Sequence, residues 1–364
     1  MSRYIRRHVG QLIMAGFPGP TIPEELRSVA REYDLGGIIL FERNVVAPEQ
    51  VAELAYDAQA MSHELPLWVS IDQEGGPVAR LRAPFTVWPP MCTLGRSGKV
   101  SLAERFARAL ARELRAVGVS LDYAPVLDIH TNPRNPVIGD RALSDQAEDV
   151  VRLGTAIIDG LQREGVAACG KHFPGHGDTG SDSHHELPVV EHPPERLREV
   201  ELVPFRAAIA SHVAMIMTAH VLYPALDEER PATLSRHVVT EMLRQELGFL
   251  GLIATDDLSM QAIKGEWSIE HATVAAIAAG CDILLLCAPD VEQQVRAIEA
   301  LIRAVEDDVL PVARVEDAIQ RQHRVKVRFL PETRGRRPLS SGELSAVLGC
   351  DEHMAVADAM RQFA

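Results

Sequence analysis

The chain has 364 residues, 46% of them hydrophobic, so it can bury one large core or two of ordinary size. Its formal net charge of −14 argues against nucleic acid and anionic membranes as partners, because binding to phosphate groups needs clustered Lys and Arg. The five cysteines never form a Cys-x-x-Cys pair, which favours small buried side chains over a disulfide framework or a zinc knuckle.

The apolar segment near the N-terminus is short and is interrupted by glycine and proline, so it does not fit a signal peptide. No other segment is long enough to cross a bilayer. We therefore expect a cytoplasmic protein with no membrane partner. A monomer is expected, although the sequence does not set the oligomeric state.

Short apolar segments alternate along the chain with longer segments of helical periodicity. The predicted strands, in chain order, are QLIMAGF, GGIILF, LPLWVSID, VSLDYAPVLDI, VAACGKHF, VAMIMTAHVLY, GLIATDD and CDILLLC. Amphipathic helices are predicted between them, for example over 48–64, 101–118 and 145–165.

Eight strands, each buried on both faces and each followed by a helix, predict an α/β protein built as a parallel (β/α)8 TIM barrel. An open doubly wound sheet is disfavoured, because the first βα turn lacks the G-x-G-x-x-G pattern of a dinucleotide fold. We predict a single barrel domain over residues 1–330. Residues 331–364 are predicted to form a short C-terminal extension packed on that barrel.

Nearly every predicted strand ends in an acid, a base or a histidine. These residues are Asp72, Asp128, Lys171, His172, His220, Asp256 and Asp257. In a barrel, the C-terminal ends of the strands surround one mouth, so side chains distant in sequence are expected to share one pocket. Capping of the following helix explains any single one of them, but does not comfortably explain the whole set.

Two glycine- or proline-rich loops carry candidate binding residues. In DQEGGPVARL, Asp72 and Arg80 flank a tight glycine turn and could clamp sugar-like hydroxyls; a surface ion pair is the alternative. In NPRNPVIGDRALS, Arg141 offers a planar fork of donors to a ligand.

The stretch KHFPGHGDTGSDSHHELP, from Lys171 to Pro188, holds four histidines and two aspartates among glycine and proline breakers. A metal site, a proton-transferring catalytic loop and a solvated surface loop are the three interpretations. The metal site is disfavoured, because the first strand ends in GFPGP with no H-x-H and Lys171 would place a cation beside His172. No metal and no cofactor are expected.

The segment TDDLSM places two aspartates at a strand end. Because strand side chains alternate between faces, only one of Asp256 and Asp257 can face the mouth. That carboxylate could act as a nucleophile on an anomeric carbon, as a general base or as a metal ligand, and it could also cap the next helix.

The motifs KHFPGHGDTGSDSHHELP, IDQEGGPVARL, NPVIGDRALS and ATDDLSM together resemble the β-N-acetylhexosaminidases of glycoside hydrolase family 3, over residues 10 to 325. The resemblance implies that Asp256 is the nucleophile, that His184 is the general acid/base and that Asp182 holds His184. It also implies a set of sugar-binding residues: Asp72, Arg80, Arg141, Lys171 and His172.

On this resemblance, Gly175, Gly177 and Gly180 predict a mobile flap that carries His184 into the site. His176 and His185 could either pack the loop or serve the site. The implied activity is retaining hydrolysis that removes non-reducing terminal β-linked N-acetylglucosamine from peptidoglycan-derived muropeptides during cell-wall recycling.

Two other activities remain open, a β-N-acetylglucosaminide phosphorylase and a β-glucosidase of the same family. Phosphorolysis is considered because a neutral histidine repels incoming phosphate less than a carboxylate does. A non-enzymatic sugar-binding protein is disfavoured, because binding alone does not require both Asp256 and the histidine dyad.

Overall fold

The computed structural model describes residues 3–61, 65–330 and 337–364. The strands are β1 Ile13–Ala15, β2 Gly37–Leu40, β3 Trp68–Ile71, β4 Gln73–Gly75, β5 Val78–Ala79, β6 Leu121–Asp122, β7 Ala167–Phe173, β8 Met215–Thr218, β9 Leu252–Asp257 and β10 Ile283–Leu286. Eight of them form a closed barrel in the order β1-β10-β9-β8-β7-β6-β3-β2, and each neighbouring pair is parallel. The predicted (β/α)8 barrel is confirmed, and the short strands β4 and β5 pair as a separate antiparallel hairpin.

The α-helices are Arg3–His8, Glu24–Tyr33, Pro48–Met61, Cys92–Ser97, Val100–Ala116, Ala147–Arg163, Pro194–Glu199, Leu202–Ala210, Gln261–Lys264, Ile269–Ala279, Val291–Glu306, Val312–Phe329, Ser341–Ser345 and Asp351–Arg361. Short 3-10 helices span Val9–Leu12, Glu42–Asn44, Gly139–Arg141 and Ala232–Leu234, and a π-helix spans His237–Glu246. The three helices predicted from periodicity are present within a few residues of their expected bounds. Residues 62–64 of the first of them lie outside the described residues.

The helices bury one apolar face against the barrel or a neighbouring helix. Val100–Ala116, for example, buries Leu102, Phe106 and Leu110, which recur every four residues and so lie on one side of the helix. This helix packs against Ala147–Arg163. Spacing in the sequence thus decides which side of each helix faces inward.

The barrel strands are buried on both faces. Along β2, Ile38 and Leu40 pack in the core between strands and helices, whereas Ile39 packs inside the barrel with Met14 and Leu285. Alternating side chains therefore fill two separate cores, and the strands carry continuous apolar segments.

The helix Val312–Phe329 closes the N-terminal end of the barrel. The Nζ of Lys326 donates to Oε1 of Gln11 at 2.7 Å and to the carbonyl of Gly36 at 2.8 Å, and Trp68 Nε1 donates to Oε1 of Gln322 at 3.0 Å. Burial lowers the pKa of Lys326 to about 7. With this end closed, the pocket described below opens at the opposite, C-terminal end.

One predicted strand is much shorter in the structure, and one predicted turn is present. Within VSLDYAPVLDI only Leu121–Asp122 forms a strand, because Pro125 has no N–H to donate to a ladder. In DQEGGPVARL, the expected tight turn joins β4 to β5. Gly75 and Gly76 occupy that turn with φ of 103° and 58°, backbone conformations that side chains with a Cβ rarely adopt.

The described part of the C-terminal extension, residues 337–364, contacts the helix Val100–Ala116 through a buried carboxylate. Glu113 accepts from the backbone N–H of Gly349 at 2.8 Å and from Nδ1 of His353 at 2.9 Å. The division of the chain at residue 330 stays a prediction. Among the helices that the structure describes, none is long and apolar enough to span a bilayer.

Candidate active site

The mouth of the barrel holds a cavity of about 350 Å³. Seven of the eight residues predicted for the site line it: Asp72, Arg80, Arg141, Lys171, His172, His184 and Asp256. The eighth, Asp182, contacts His184 from outside the cavity wall. The structure therefore brings together, in one pocket, side chains that are up to 184 positions apart in the sequence (256 − 72).

Asp256 and Asp257 have different surroundings at the end of β9. Oδ1 of Asp257 accepts from the backbone N–H of Ser259 and of Cys287, both at 3.0 Å, so this carboxylate is occupied by a turn and by the neighbouring strand end. Asp256 accepts from the N–H of Asp257 at 2.8 Å through one oxygen only. The hydrogen bonds to both aspartates thus end on Oδ1, two on Asp257 and one on Asp256.

The groups around the two aspartates shift their pKa values in opposite directions. Burial acts to raise the pKa of Asp256, but His220, His172 and Lys171 outweigh it and hold that pKa below its ordinary value. Burial raises the pKa of Asp257, and the neighbouring Asp256 adds to that rise. Both aspartates line the cavity, contrary to the expectation that only one would face the mouth, and Asp256 is the one whose ionised form its neighbours stabilise.

A buried carboxylate that the sequence analysis missed organises the cationic side of the pocket. Glu74 accepts from Nε and Nη2 of Arg141, both at 2.9 Å, and lies 2.5 Å from Nζ of Lys171. Lys171 also donates to Oδ1 of Asp72 at 2.8 Å. Glu74 and Lys171 are 1% and 2% exposed in their side chains, so these pairs are held away from water.

The ion pairs set the charge states of this cluster. Burial acts to raise the pKa of Glu74, but Arg141 and Lys171 outweigh it and hold that pKa far below its usual range. Burial acts to lower the pKa of Lys171, and Asp72 and Glu74 outweigh it in turn, so the ammonium stays charged. Alternation along β4 is the signal that could have identified Glu74, because it lies two residues after Asp72 and so on the same face.

Arg80 and Asp72 lie 3.6 Å apart and form a part-buried ion pair at the pocket wall. The Arg80 guanidinium also lies 5.4 Å from the ring centre of Phe41. The two side chains thus do form the ion pair that was the alternative interpretation, and their role in sugar binding stays a prediction. Phe41 and Arg43, in the loop after β2, line the pocket too, although the sequence analysis proposed no residue from that loop.

His172 is oriented by a fully buried aspartate. Nδ1 of His172 lies 2.7 Å from Oδ2 of Asp128, which also accepts from the backbone N–H of His176 at 2.6 Å through its other oxygen. Because a carboxylate only accepts, Nδ1 of His172 carries the proton and Nε2 is left for a ligand. The sequence analysis noted Asp128 only as one polar strand end among several.

Asp182 and His184 form the predicted dyad. Nδ1 of His184 lies 2.7 Å from Oδ1 of Asp182, which also accepts from the backbone N–H of His184 at 2.9 Å. Burial acts to raise the pKa of Asp182, but these bonds and the imidazole hold it below its ordinary value. The side chain of His184 is 59% exposed, and its Nε2 is the nitrogen free to exchange protons.

The loop that carries the dyad has a buried base, residues 174–179, and an exposed tip, residues 180–186. At the base, Asn135 donates to the carbonyl of His176 at 2.8 Å and Thr131 donates to Asp178 at 2.9 Å. His176 is buried and lines the pocket, whereas His185 is exposed and does not line it. The structure thus separates the two histidines whose roles were left open.

The sequence predicts that all three glycines of this loop allow motion. The structure shows that two of them are instead packed closely. A Cβ on Gly177 would lie 1.8 Å from the backbone oxygen of Ile129, so this glycine is required for close packing. Gly175 has a φ of 141° and packs against Glu201. Only Gly180, in the tip, has open space around it.

Across residues 3–61, 65–330 and 337–364, no group of three or more His, Cys, Asp and Glu side chains is placed to hold a metal ion. His172 and His184 are instead paired with carboxylates, and His176 lies within hydrogen-bond distance of the hydroxyls of Thr179 and Ser183. Their ring nitrogens are therefore arranged for hydrogen bonding and proton transfer.

Three known proteins resemble this chain closely. A solved glycoside hydrolase family 3 β-N-acetylglucosaminidase from Paenibacillus sp. str. FPU-7 superposes with a TM-score of 0.94 at 43% identity, over 100% of this chain and 69% of that chain. A β-hexosaminidase from Nitrosomonas eutropha is 41% identical over 281 residues, which are 76% of this chain and 80% of that protein. β-Hexosaminidase A from Pseudoalteromonas piscicida is 39% identical over 287 residues, 73% of this chain but only 48% of its own length.

A family model, that of the glycosyl hydrolase family 3 N-terminal domain, matches residues 4–325. The fold, the pocket and these matches define the protein as a (β/α)8-barrel glycoside hydrolase. It belongs to glycosyl hydrolase family 3, and the family resemblance indicated by the motifs is confirmed.

Proposed function

We propose that the protein is a retaining β-N-acetylglucosaminidase that removes terminal β-linked N-acetylglucosamine. The observation that carries this proposal is the pairing, in one pocket, of an ionised and accessible carboxylate, Asp256, with a histidine whose Nε2 is free, His184. The names of the relatives, β-hexosaminidase and β-N-acetylglucosaminidase, support the sugar.

In the first step, Asp256 attacks the anomeric carbon and forms a glycosyl ester, while protonated His184 gives its Nε2 proton to the departing oxygen. Asp182 supports this role, because its carboxylate orients the ring and stabilises the imidazolium. In the second step, neutral His184 takes a proton from water, and that water hydrolyses the ester. The sugar leaves with its β configuration retained.

The cationic side of the pocket is proposed to bind the sugar hydroxyls. Asp72 and His172 offer an acceptor and a ring nitrogen to the hydroxyls, while Lys171, Arg141 and Arg80 offer donors. Because Glu74 already pairs with Lys171 and Arg141, the two cations are fixed before substrate arrives. Such preorganisation limits the entropy lost on binding.

The proposal extends to muropeptides derived from peptidoglycan as the natural substrate, and to the cytoplasm as the place of the reaction. The substrate comes from the resemblance of the four motifs, and the location is the expectation stated in the sequence analysis. The family match supports the class of reaction and not the identity of the leaving group.

The test compares nitrophenyl N-acetyl-β-glucosaminide with nitrophenyl β-glucoside, each with and without phosphate. We expect kcat/KM to be about a hundredfold higher for the N-acetylated sugar, because a site built around a polar substituent discriminates strongly against its loss. The first product seen by NMR should be the free β-anomer of N-acetylglucosamine. Preference for the glucoside would contradict the proposed sugar, and a sugar phosphate as the main product would identify a phosphorylase.

A further inference from the structure

In the sequence, Ser183 lies between Asp182 and His184. Two hydrogen bonds anchor it, one through its side chain and one through its backbone. It is only 2% exposed, although the adjacent His184 is exposed. Its Oγ lies 3.1 Å from Nε2 of His176 in the loop base. Its carbonyl accepts from the backbone N–H of Ala262 at 3.2 Å, in the helix Gln261–Lys264 that follows Asp256.

The donor in the hydrogen bond between Ser183 and His176 follows from which ring nitrogen of His176 carries the proton. Burial, with the nearby His172, lowers the pKa of His176 to about 4, so this ring is neutral near pH 7. Thr179 uses its hydroxyl proton for the carbonyl of His176, and its oxygen, 2.7 Å from Nδ1 of His176, accepts there. Nδ1 of His176 therefore carries the proton, and Ser183 donates to Nε2.

We propose that Ser183 is a positioning residue that fixes the acid/base histidine relative to the nucleophile. Its side chain joins the loop tip to the loop base, and its backbone joins the tip to the segment after β9. The two anchors restrain the residues on either side, Asp182 and His184. This inference rests on the roles proposed above for His184 and Asp256.

The test substitution is Ser183→Ala, which removes the bond to His176 and keeps the backbone bond to Ala262. For substrates with poor leaving groups, such as an N-acetylglucosaminyl disaccharide, we expect kcat to fall about tenfold, the effect of losing one buried hydrogen bond. For the nitrophenyl glycoside, formation of the glycosyl-enzyme should change less than about twofold, because nitrophenolate departs without a proton. Azide, which needs no general base, should restore the slowed second step.

Two matched variants test whether Ser183 acts through His176. Ser181 lies in the same loop, and within the described residues its hydroxyl has no hydrogen-bond partner, so Ser181→Ala should behave as the wild type. In a His176→Ala background, adding Ser183→Ala should cause no further loss, because residues that act through one contact are not additive. Thermal melting of each variant confirms that it is folded.

Hydrogen–deuterium exchange of residues 180–187 gives a readout that does not depend on activity. Ser183→Ala should speed exchange in this peptide, and Ser181→Ala should not. Unchanged exchange would overturn the proposal. Equal losses for good and poor leaving groups would also overturn it, because they would mean that Ser183 only contacts the sugar.

His184→Ala separates this inference from the proposed function. A strong dependence on the leaving group in His184→Ala, without any in Ser183→Ala, would leave the proposed function intact and overturn the role of Ser183. If His184→Ala affects all leaving groups equally, the acid/base assignment fails, and with it the positioning role.

Discussion

At the scale of single residues, two adjacent aspartates differ in what their oxygens already bind. Asp257 holds the backbone N–H groups of Ser259 and Cys287, and its pKa is raised. Asp256 accepts only the backbone N–H of Asp257, and His220, His172 and Lys171 lower its pKa. A nucleophile acts in its ionised form, and the lowered pKa of Asp256 supports the proposal that it takes this role.

Substitution of each aspartate by alanine tests this distinction. Asp256→Ala should reduce kcat by about a thousandfold or more and leave the melting temperature nearly unchanged, because it removes the covalent route without breaking a turn. Asp257→Ala should lower the free energy of unfolding by about 1–2 kcal/mol, since it leaves two N–H groups unpaired, and should retain more activity. Rates with the nitrophenyl substrate measure the loss of activity, and thermal melting measures the loss of stability. A greater loss of activity in Asp257→Ala would mean that the nucleophile is Asp257.

At the scale of elements, the loop from residue 174 to residue 186 joins a packed base to an exposed tip. The base lies against the loop at 129–135, where Asn135 and Thr131 bind it and Gly177 meets the backbone of Ile129. The tip carries His184 and is attached mainly through Ser183. Any movement of His184, the proposed acid/base, is therefore expected in the tip and not in the base.

Two glycine substitutions distinguish the base from the tip. Gly177→Ala should lower the free energy of unfolding by about 3 kcal/mol, because the new Cβ would overlap a backbone oxygen that cannot rotate away. Gly180→Ala should leave it unchanged or raise it by about 0.5 kcal/mol, since the added methyl meets nothing and restricts the unfolded chain. Denaturant titration measures both, and equal stabilities for the two variants would contradict this division of the loop.

At the scale of the whole molecule, the C-terminal extension is fastened to the barrel through Glu113. This buried carboxylate accepts from the backbone and hydroxyl of Thr86 at 3.0 and 2.6 Å, as well as from Gly349 and His353. The β4–β5 hairpin carries Glu74 and is followed by Arg80 and then by Thr86. Glu113 thus links the extension to the segment that follows the hairpin.

Removal of the Glu113 side chain tests whether it fastens the C-terminal extension to the barrel. Glu113→Ala should lower the free energy of unfolding by about 3 kcal/mol, because it leaves the buried donors of Thr86, Gly349 and His353 without an acceptor. The control is Glu352→Ala, which removes an exposed carboxylate 3.7 Å from Arg112 and should change stability by less than about 0.5 kcal/mol. Thermal melting compares them, and a Glu113→Ala protein as stable as the control would show that the extension is held by other contacts.

The barrel and most of the pocket were predictable from the amino-acid sequence. Eight apolar segments with intervening helices specify a parallel barrel, because strands buried on both faces require a cover of helices. Strand ends then place Asp72, Lys171 and Asp256 at one mouth, and local spacing alone pairs Asp182 with His184.

Which of these groups are free to act could not be predicted, because this depends on partners that lie far along the chain and meet only in the folded protein. Glu74 was missed since its partners, Arg141 and Lys171, lie 67 and 97 positions away (141 − 74 and 171 − 74). The packing of Gly177 depends on the backbone of Ile129. Periodicity reports which face a side chain occupies, whereas its hydrogen bonds and its charge state are set by neighbours that folding brings together.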